Sequence, residues 1–102
     1  MLKLFLSQPM RGKTDEQILA EREKAIKAAS EAVGEEVEVI DTFYTDFAEG
    51  TKSLEYLARS IKDLATADVA YFARDWEKYR GCKIEHTCAL EYGIDTIEDY
   101  SV

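Results

Sequence analysis

Short apolar runs and longer segments with apolar residues three and four apart take turns along this chain. That alternation restricts the fold more than any other feature. Leu2, Leu4 and Leu6 alternate with Lys3 and Phe5 and run into a polar loop, SQPMRGK, which predicts a short buried strand. Thr14 and Gln17 have the spacing of a capping box, and Ile18, Ala25, Ile26, Ala29 and Val33 follow at helical intervals up to Gly34. Val37 to Ile40 reads as a second strand, ending at Asp41. After an aromatic loop, Leu54, Leu57, Ile61 and Leu64 predict a second amphipathic helix whose apolar stripe is core. Asp68 opens a third strand, Val69 to Phe72. The segment CKIEHTCALEY predicts a third helix closed by Gly93, and Ile94 to Ile97 a last strand.

The order βαβαβαβ implies a parallel sheet with helices on both faces. Right-handed crossovers make this a three-layer α/β/α, flavodoxin-like, doubly wound sheet with strand order 2-1-3-4. In that order the first and third strands flank the topological switch point, where ligands bind beyond the carboxyl ends of the strands. Two loops are selected on this ground alone: SQPMRGK after the first strand and ARDWEKYRGC after the third.

Charge sharpens the selection. The chain carries a formal charge of −8, which disfavours nucleic acid polymers and anionic membranes as partners. Arg11, Lys13, Arg74, Lys78, Arg80 and Lys83, a large share of the 13 cations, nevertheless fall in or beside the two loops. A basic pocket mouth on an acidic protein draws a small anion such as a phosphate, held by Arg11 and the backbone near Gly12. Gly12 and Gly81 supply one glycine to each loop, either for close ligand approach or simply as turn residues. Neither a Walker loop nor G-x-G-x-x-G is present.

Cys82 and Cys88 match no zinc or redox spacing and read as reduced structural thiols, so no metal site is expected. The apolar stretch of MLKLFLSQPM is too short for a signal peptide, and no run approaches a membrane span. The expected location is the cytoplasm.

Glu85, in RGCKIEH, is the most informative acid. Placed early in a helix among Cys82, Ile84 and Cys88, its carboxylate feels the helix dipole and partial burial in opposite directions. A partly desolvated carboxylate at a pocket mouth is a nucleophile for an anomeric carbon. The bland alternative is a helix-start glutamate without chemistry. Ser7 and Gln8 end the first strand and are candidate ligand donors. Asp41 is placed to contact a ribose hydroxyl. Trp76 and Tyr44 are candidates to stack on a base, with an oligomer contact as the alternative for loop aromatics. His86 is a weaker candidate for proton transfer, and Asp75 for a substrate hydroxyl.

SQPMRGK, ADVAYF and RGCKIEHTCALEYG together resemble the nucleoside 2-deoxyribosyltransferase-like superfamily, which includes the deoxynucleoside 5′-monophosphate N-glycosidases. The resemblance covers nearly the whole chain and implies one domain over residues 1–102. By it, Glu85 attacks C1′ of a deoxyribose, and Arg11 and Gly12 lie near the sugar and 5′-phosphate, with Arg80 and Gly81 in the facing loop. It implies no metal or redox cofactor, a small nucleoside or nucleotide as ligand, and a homodimer or higher homo-oligomer. Two positions depart from the pattern. The relatives carry an aspartate eight residues before the aspartate that opens the third strand, and this chain has Ser60 there. Their first-strand tyrosine is Phe5 here. Loss of that acid removes a proton carrier for the leaving base, worth about two to four orders of magnitude in rate; Asp41 is the available substitute. The leading expectation is an enzyme that cleaves the N-glycosidic bond of a 2′-deoxynucleoside or its 5′-monophosphate. The alternative is a non-catalytic module that senses or sequesters a nucleotide or an NAD-derived signal in the same pocket. A flavin-binding switch ranks below both, because the first loop lacks the Ser/Thr-rich sequence that flavin mononucleotide favours.

Overall fold

The computed structural model describes residues 1–101. The elements are β1 (Leu2–Ser7), α1 (Asp15–Val33), β2 (Val37–Val39), α2 (Ser53–Leu64), β3 (Val69–Phe72), a 3-10 turn (Trp76–Lys78), α3 (Arg80–Glu91) and β4 (Asp95–Glu98). The strands are all parallel and lie in the order β2-β1-β3-β4. This is the expected flavodoxin-like arrangement. The carboxyl ends of β1 and β3 lie side by side, with Ser7 opposite Phe72.

Strand parity divides the core. Successive side chains on a strand point to opposite faces, so Leu4 and Leu6 of β1, with Val69 and Tyr71 of β3, pack toward Ala25 and Ala29 of α1. Alanine at these helical positions lets α1 approach the sheet closely. Phe5, Ala70 and Phe72 face the other way, against Leu64 of α2 and Cys82 and Ala89 of α3. Ser7 shares the parity of Phe5. The strand period therefore aims a buried hydroxyl at the α2–α3 side, at the switch point.

The capping box of α1 is present in full: Gln17 N–H donates to Thr14 Oγ1 at 3.2 Å and Thr14 N–H donates to Gln17 Oε1 at 2.9 Å. Gly34, at φ 75°, ends the helix with its N–H on Ser30 O. Boundaries shift by a residue or two in three elements. The second strand ends at Val39, although Ile40 N–H still donates to Leu4 O at 2.8 Å. The last strand begins at Asp95 because Gly93 is left-handed and Ile94 N–H turns back to Ala89 O, making Ile94 part of the helix terminus. The third helix begins two residues early, at Arg80.

The apolar stripe of α2 is core only over its second half. Leu64 is fully buried and Ile61 packs on the core, but Leu54 is 74% exposed. Leu54 and Leu57 instead line a surface cleft, so the expectation that Leu54 is core is corrected. Among the described residues, no helix is long and apolar enough to cross a membrane.

Candidate functional site

Glu85 belongs to the inward face of α3, with Cys82 and Ala89 at the three- and four-residue spacings of a helix. Its side chain enters the switch point, and the residue is only 7% exposed. Two hydroxyls meet it there. Ser7 Oγ, from the end of β1, donates to Glu85 Oε1 at 2.6 Å. Ser60 Oγ, from α2, donates to Oε2 at 2.5 Å. One strand end and two helices thus clamp both carboxylate oxygens. Burial raises the pKa of Glu85 above the ordinary carboxylate value, while the Ser60 and Ser7 hydrogen bonds oppose that shift.

The carboxylate opens into an inner cleft of about 270 Å³, lined by Gln8, Thr42, Tyr44, Ser60, Cys82 and Glu85 among others. The Tyr44 phenol donates to Asp63 Oδ2, one helical turn beyond Ser60. Burial, then the hydrogen bond and charge of Asp63, push the Tyr44 hydroxyl far above its ordinary pKa. Burial pushes the Cys82 thiol up to about 11, so it stays protonated at neutral pH.

An outer cleft of about 640 Å³ adjoins the inner one and shares Ser53, Leu57, Tyr79 and Gly81 as a common wall. Its lining includes Arg11, Lys78 and Arg80, over an apolar floor of Leu54, Leu57 and Ile84. The two loops selected from the sequence meet here through Arg11, Lys78 and Arg80, whereas Lys13 and Arg74 line a separate cleft with Asp75 and Asp99.

The structure sorts the remaining expected residues. Glu85, Gln8, Tyr44 and Gly81 line the inner cleft, and Arg11, Arg80 and Gly81 the outer. Ser7 is turned onto Glu85, so it positions the carboxylate. The Gln8 amide is committed to the protein: its Nε2 donates to Ile18 O at 2.7 Å and its Oε1 accepts from Arg22. Gly12 lines neither cleft; at φ 79° it makes the turn that carries Arg11. Asp41 is exposed, accepts from Phe43 N–H at 3.1 Å, and lines neither cleft, which removes it as substitute acid.

Trp76 requires a correction. It is 6% exposed and lines neither cleft. Asp75, left-handed at φ 69°, turns the chain into the 3-10 turn and tucks the indole into the core against Phe72 and His86. A base cannot stack on it there. His86 is held between these rings, and its Nε2 lies 2.8 Å from Glu98 Oε2, outside both clefts.

Two contributors were missed in the sequence. Arg22 of α1 is 7% exposed and donates to Thr42 Oγ1 at 3.1 Å, Gln8 Oε1 at 3.4 Å and Ile40 O at 3.4 Å, tying together the backs of two cleft-lining segments. Its place between Ile18 and Ala25, at steps of four and three, was the available signal. Ser60 was noted only for the acid it replaces. Among the described residues, no group of three His, Cys, Asp or Glu side chains is placed to hold a metal ion.

Fold and site together define a small parallel α/β protein with a hydroxyl-clamped carboxylate at its topological switch point and a basic cleft beside it. The chain belongs to the family described as a domain of unknown function (DUF4406), which matches residues 2–98. Comparisons with the curated proteins and with the solved structures return no match.

Proposed function

We propose that this protein cleaves the N-glycosidic bond of a 2′-deoxynucleoside or its 5′-monophosphate, through Glu85 as nucleophile. The observation that carries this reading is the clamp on Glu85. Two serine hydroxyls fix both oxygens of a buried carboxylate that opens into a cleft of nucleoside size, with cations next door. A structural glutamate has no need of that exposure to a cleft.

In the reaction, a Glu85 oxygen attacks C1′ and the C1′–N bond breaks, its electron pair leaving with the base. Water or a second base then attacks C1′, and the sugar–carboxylate bond breaks to restore Glu85. Carboxylate catalysis of this kind requires neither metal nor redox cofactor. Arg11 and Arg80 hold a sugar phosphate. Assembly as a homodimer or higher oligomer belongs to the same proposal, since relatives in the resembled superfamily are homo-oligomers and some complete their sites from a neighbouring subunit.

The test is chromatographic detection of free base from pooled 2′-deoxynucleosides and their 5′-monophosphates, N7-methylated purines included, with wild type and Glu85→Ala. Release by wild type alone is the expected result; release by neither overturns the proposal. One observation favours a second reading, a non-catalytic nucleotide-binding module: Ser60 stands where the resembled enzymes carry an acid. That module predicts a nucleotide-dependent rise in melting temperature with no base released.

A further inference from the structure

The two clefts differ in charge in a way that specifies a ligand. Among the described residues, Glu85 is the one carboxylate lining the inner cleft, and no Lys, Arg or His lines it. Arg11, Lys78 and Arg80 line the outer cleft, and no carboxylate among the described residues does. A ligand that complements both is zwitterionic. It puts positive charge beside Glu85 and negative charge in the adjoining cleft.

A second, independent observation concerns protons. A neutral base leaves as an anion unless it is protonated, and enzymes supply that proton from a positioned acid. The inner cleft supplies none of the usual kind. Apart from Glu85 itself, its lining contains no carboxyl, imidazole or ammonium group among the described residues. The Ser60 hydrogen is committed to Glu85 and the Tyr44 hydrogen to Asp63. Tyr56 packs on Phe47 with ring centroids 4.1 Å apart, and Tyr79 belongs to the wall shared with the outer cleft. The carboxylate is in place for the attack, and no second carboxyl, imidazole or ammonium group among the described residues lines the cleft to protonate the departing base.

We infer that the substrate is a sugar phosphate bearing a cationic base, such as an N-alkylpyridinium or N7-alkylpurinium nucleotide. Such a base already carries the positive charge that protonation would have conferred. When Glu85 attacks C1′ and the C1′–N bond breaks, the bonding pair returns to the ring nitrogen and the base departs neutral, with no proton transferred. Water then attacks C1′ of the glycosyl-Glu85, the carboxylate leaves, and the water's proton passes to solvent. Before the reaction the ring cation offsets the cost of keeping Glu85 ionised while buried, and the phosphate settles on Arg11 and Arg80.

This inference rests on the N-glycosidase reading, and a matched pair separates the two. Base release is measured from 7-methyl-2′-deoxyguanosine 5′-monophosphate and from 2′-deoxyguanosine 5′-monophosphate, with nicotinamide mononucleotide as the pyridinium arm. Glu85→Gln gives the spontaneous background. The expected result is Glu85-dependent release from at least one cationic compound, faster than from the neutral nucleotide by on the order of 10²- to 10⁴-fold, the usual worth of a general acid. The two cationic arms tell which kind of base is taken. Comparable rates on 2′-deoxyguanosine 5′-monophosphate overturn the inference and leave the N-glycosidase reading standing. No release above background from any of the three overturns the inference, and no release from any member of the wider pool overturns the N-glycosidase reading as well. Equal cleavage of 7-methyl-2′-deoxyguanosine without its phosphate overturns the phosphate half alone.

Discussion

Ser60 of α2 donates its hydroxyl hydrogen to Glu85 Oε2 of α3 at 2.5 Å, while Ser7 takes the other oxygen. The hydroxyl helps to keep the carboxylate charged. An aspartate at position 60 would do the opposite, since two carboxylates this close share one proton and hold it to a raised pH. Ser60→Asp is therefore expected to create the missing acid. Release of neutral bases should rise by roughly 10²-fold or more relative to release of cationic ones. Parallel rate measurements on the methylated and unmethylated guanine nucleotides check this, and an unchanged ratio counts against it.

The titration of Glu85 links activity to stability. Burial makes the folded protein hold the Glu85 proton more tightly than the unfolded chain does. Folding is thus favoured most at pH values below the ordinary carboxylate range, and that contribution is lost as pH rises through the raised folded value. Activity runs the other way, because the nucleophile is the ionised form. The acid limb of kcat/KM should lie above the ordinary glutamate pKa, and stability should fall over the same interval. Ser60→Ala removes a bond that opposes the shift, so it should move the limb to higher pH. Rate profiles and denaturation midpoints across the mildly acidic range test both halves.

Arg22 predicts a structural cost with a functional echo. Arg22→Leu leaves Thr42 Oγ1, Gln8 Oε1 and Ile40 O without their shared donor. Orphaned buried polar groups cost about 1–3 kcal/mol each, so a loss of a few kcal/mol in unfolding free energy is expected from chemical denaturation. Ligand affinity should fall as well, since Gln8 and Thr42 line the inner cleft. Wild-type stability in the variant would mean that the bonds add nothing net.

Trp76 offers a spectroscopic check. It is the sole tryptophan and lies in the core, away from both clefts. Nucleotide binding should leave its emission nearly unchanged, and Trp76→Phe should leave KM unchanged. The substitution also removes Nε1, a buried donor with no partner among the described residues, which offsets part of the packing lost. Strong quenching on titration with a nucleotide would place the ligand against the indole after all.

Arg80 should set the phosphate dependence. Arg80→Ala is expected to raise KM for phosphorylated substrates several-fold and to flatten its salt dependence, because an exposed cation acts through a screened field. The unphosphorylated nucleoside should be indifferent to the change. Steady-state kinetics at two ionic strengths separates these outcomes.

How much of this was legible differed by residue. Strand order followed from element alternation and the handedness of crossovers, and that order placed Arg11, Arg80 and Glu85 in one region. The Ser7–Glu85 bond was also within reach: Ser7 shares the parity of Phe5 and so faces α3. Arg22 sits in the buried helical register of Ile18, Ala25 and Ala29, yet only apolar members of that register were counted. Leu54 and Trp76 were out of reach. The spacing of α2 states which residues share a face, while the position of its first turn, over a cleft, is a tertiary fact. Trp76 is buried by a single left-handed residue, Asp75; aspartate enters that conformation more readily than most non-glycine residues, but nothing local in ARDWEKYR singles this one out.

Glu85 and Arg80 occupy the same helix, five residues apart. At 1.5 Å of rise per residue, about 7.5 Å of axis separates them, fixed by backbone hydrogen bonds and indifferent to loop motion. Helix α3 is therefore a ruler. In the proposed reaction it spans from the carbon under attack to the cation that receives the phosphate, so the length of the substrate becomes part of its selection.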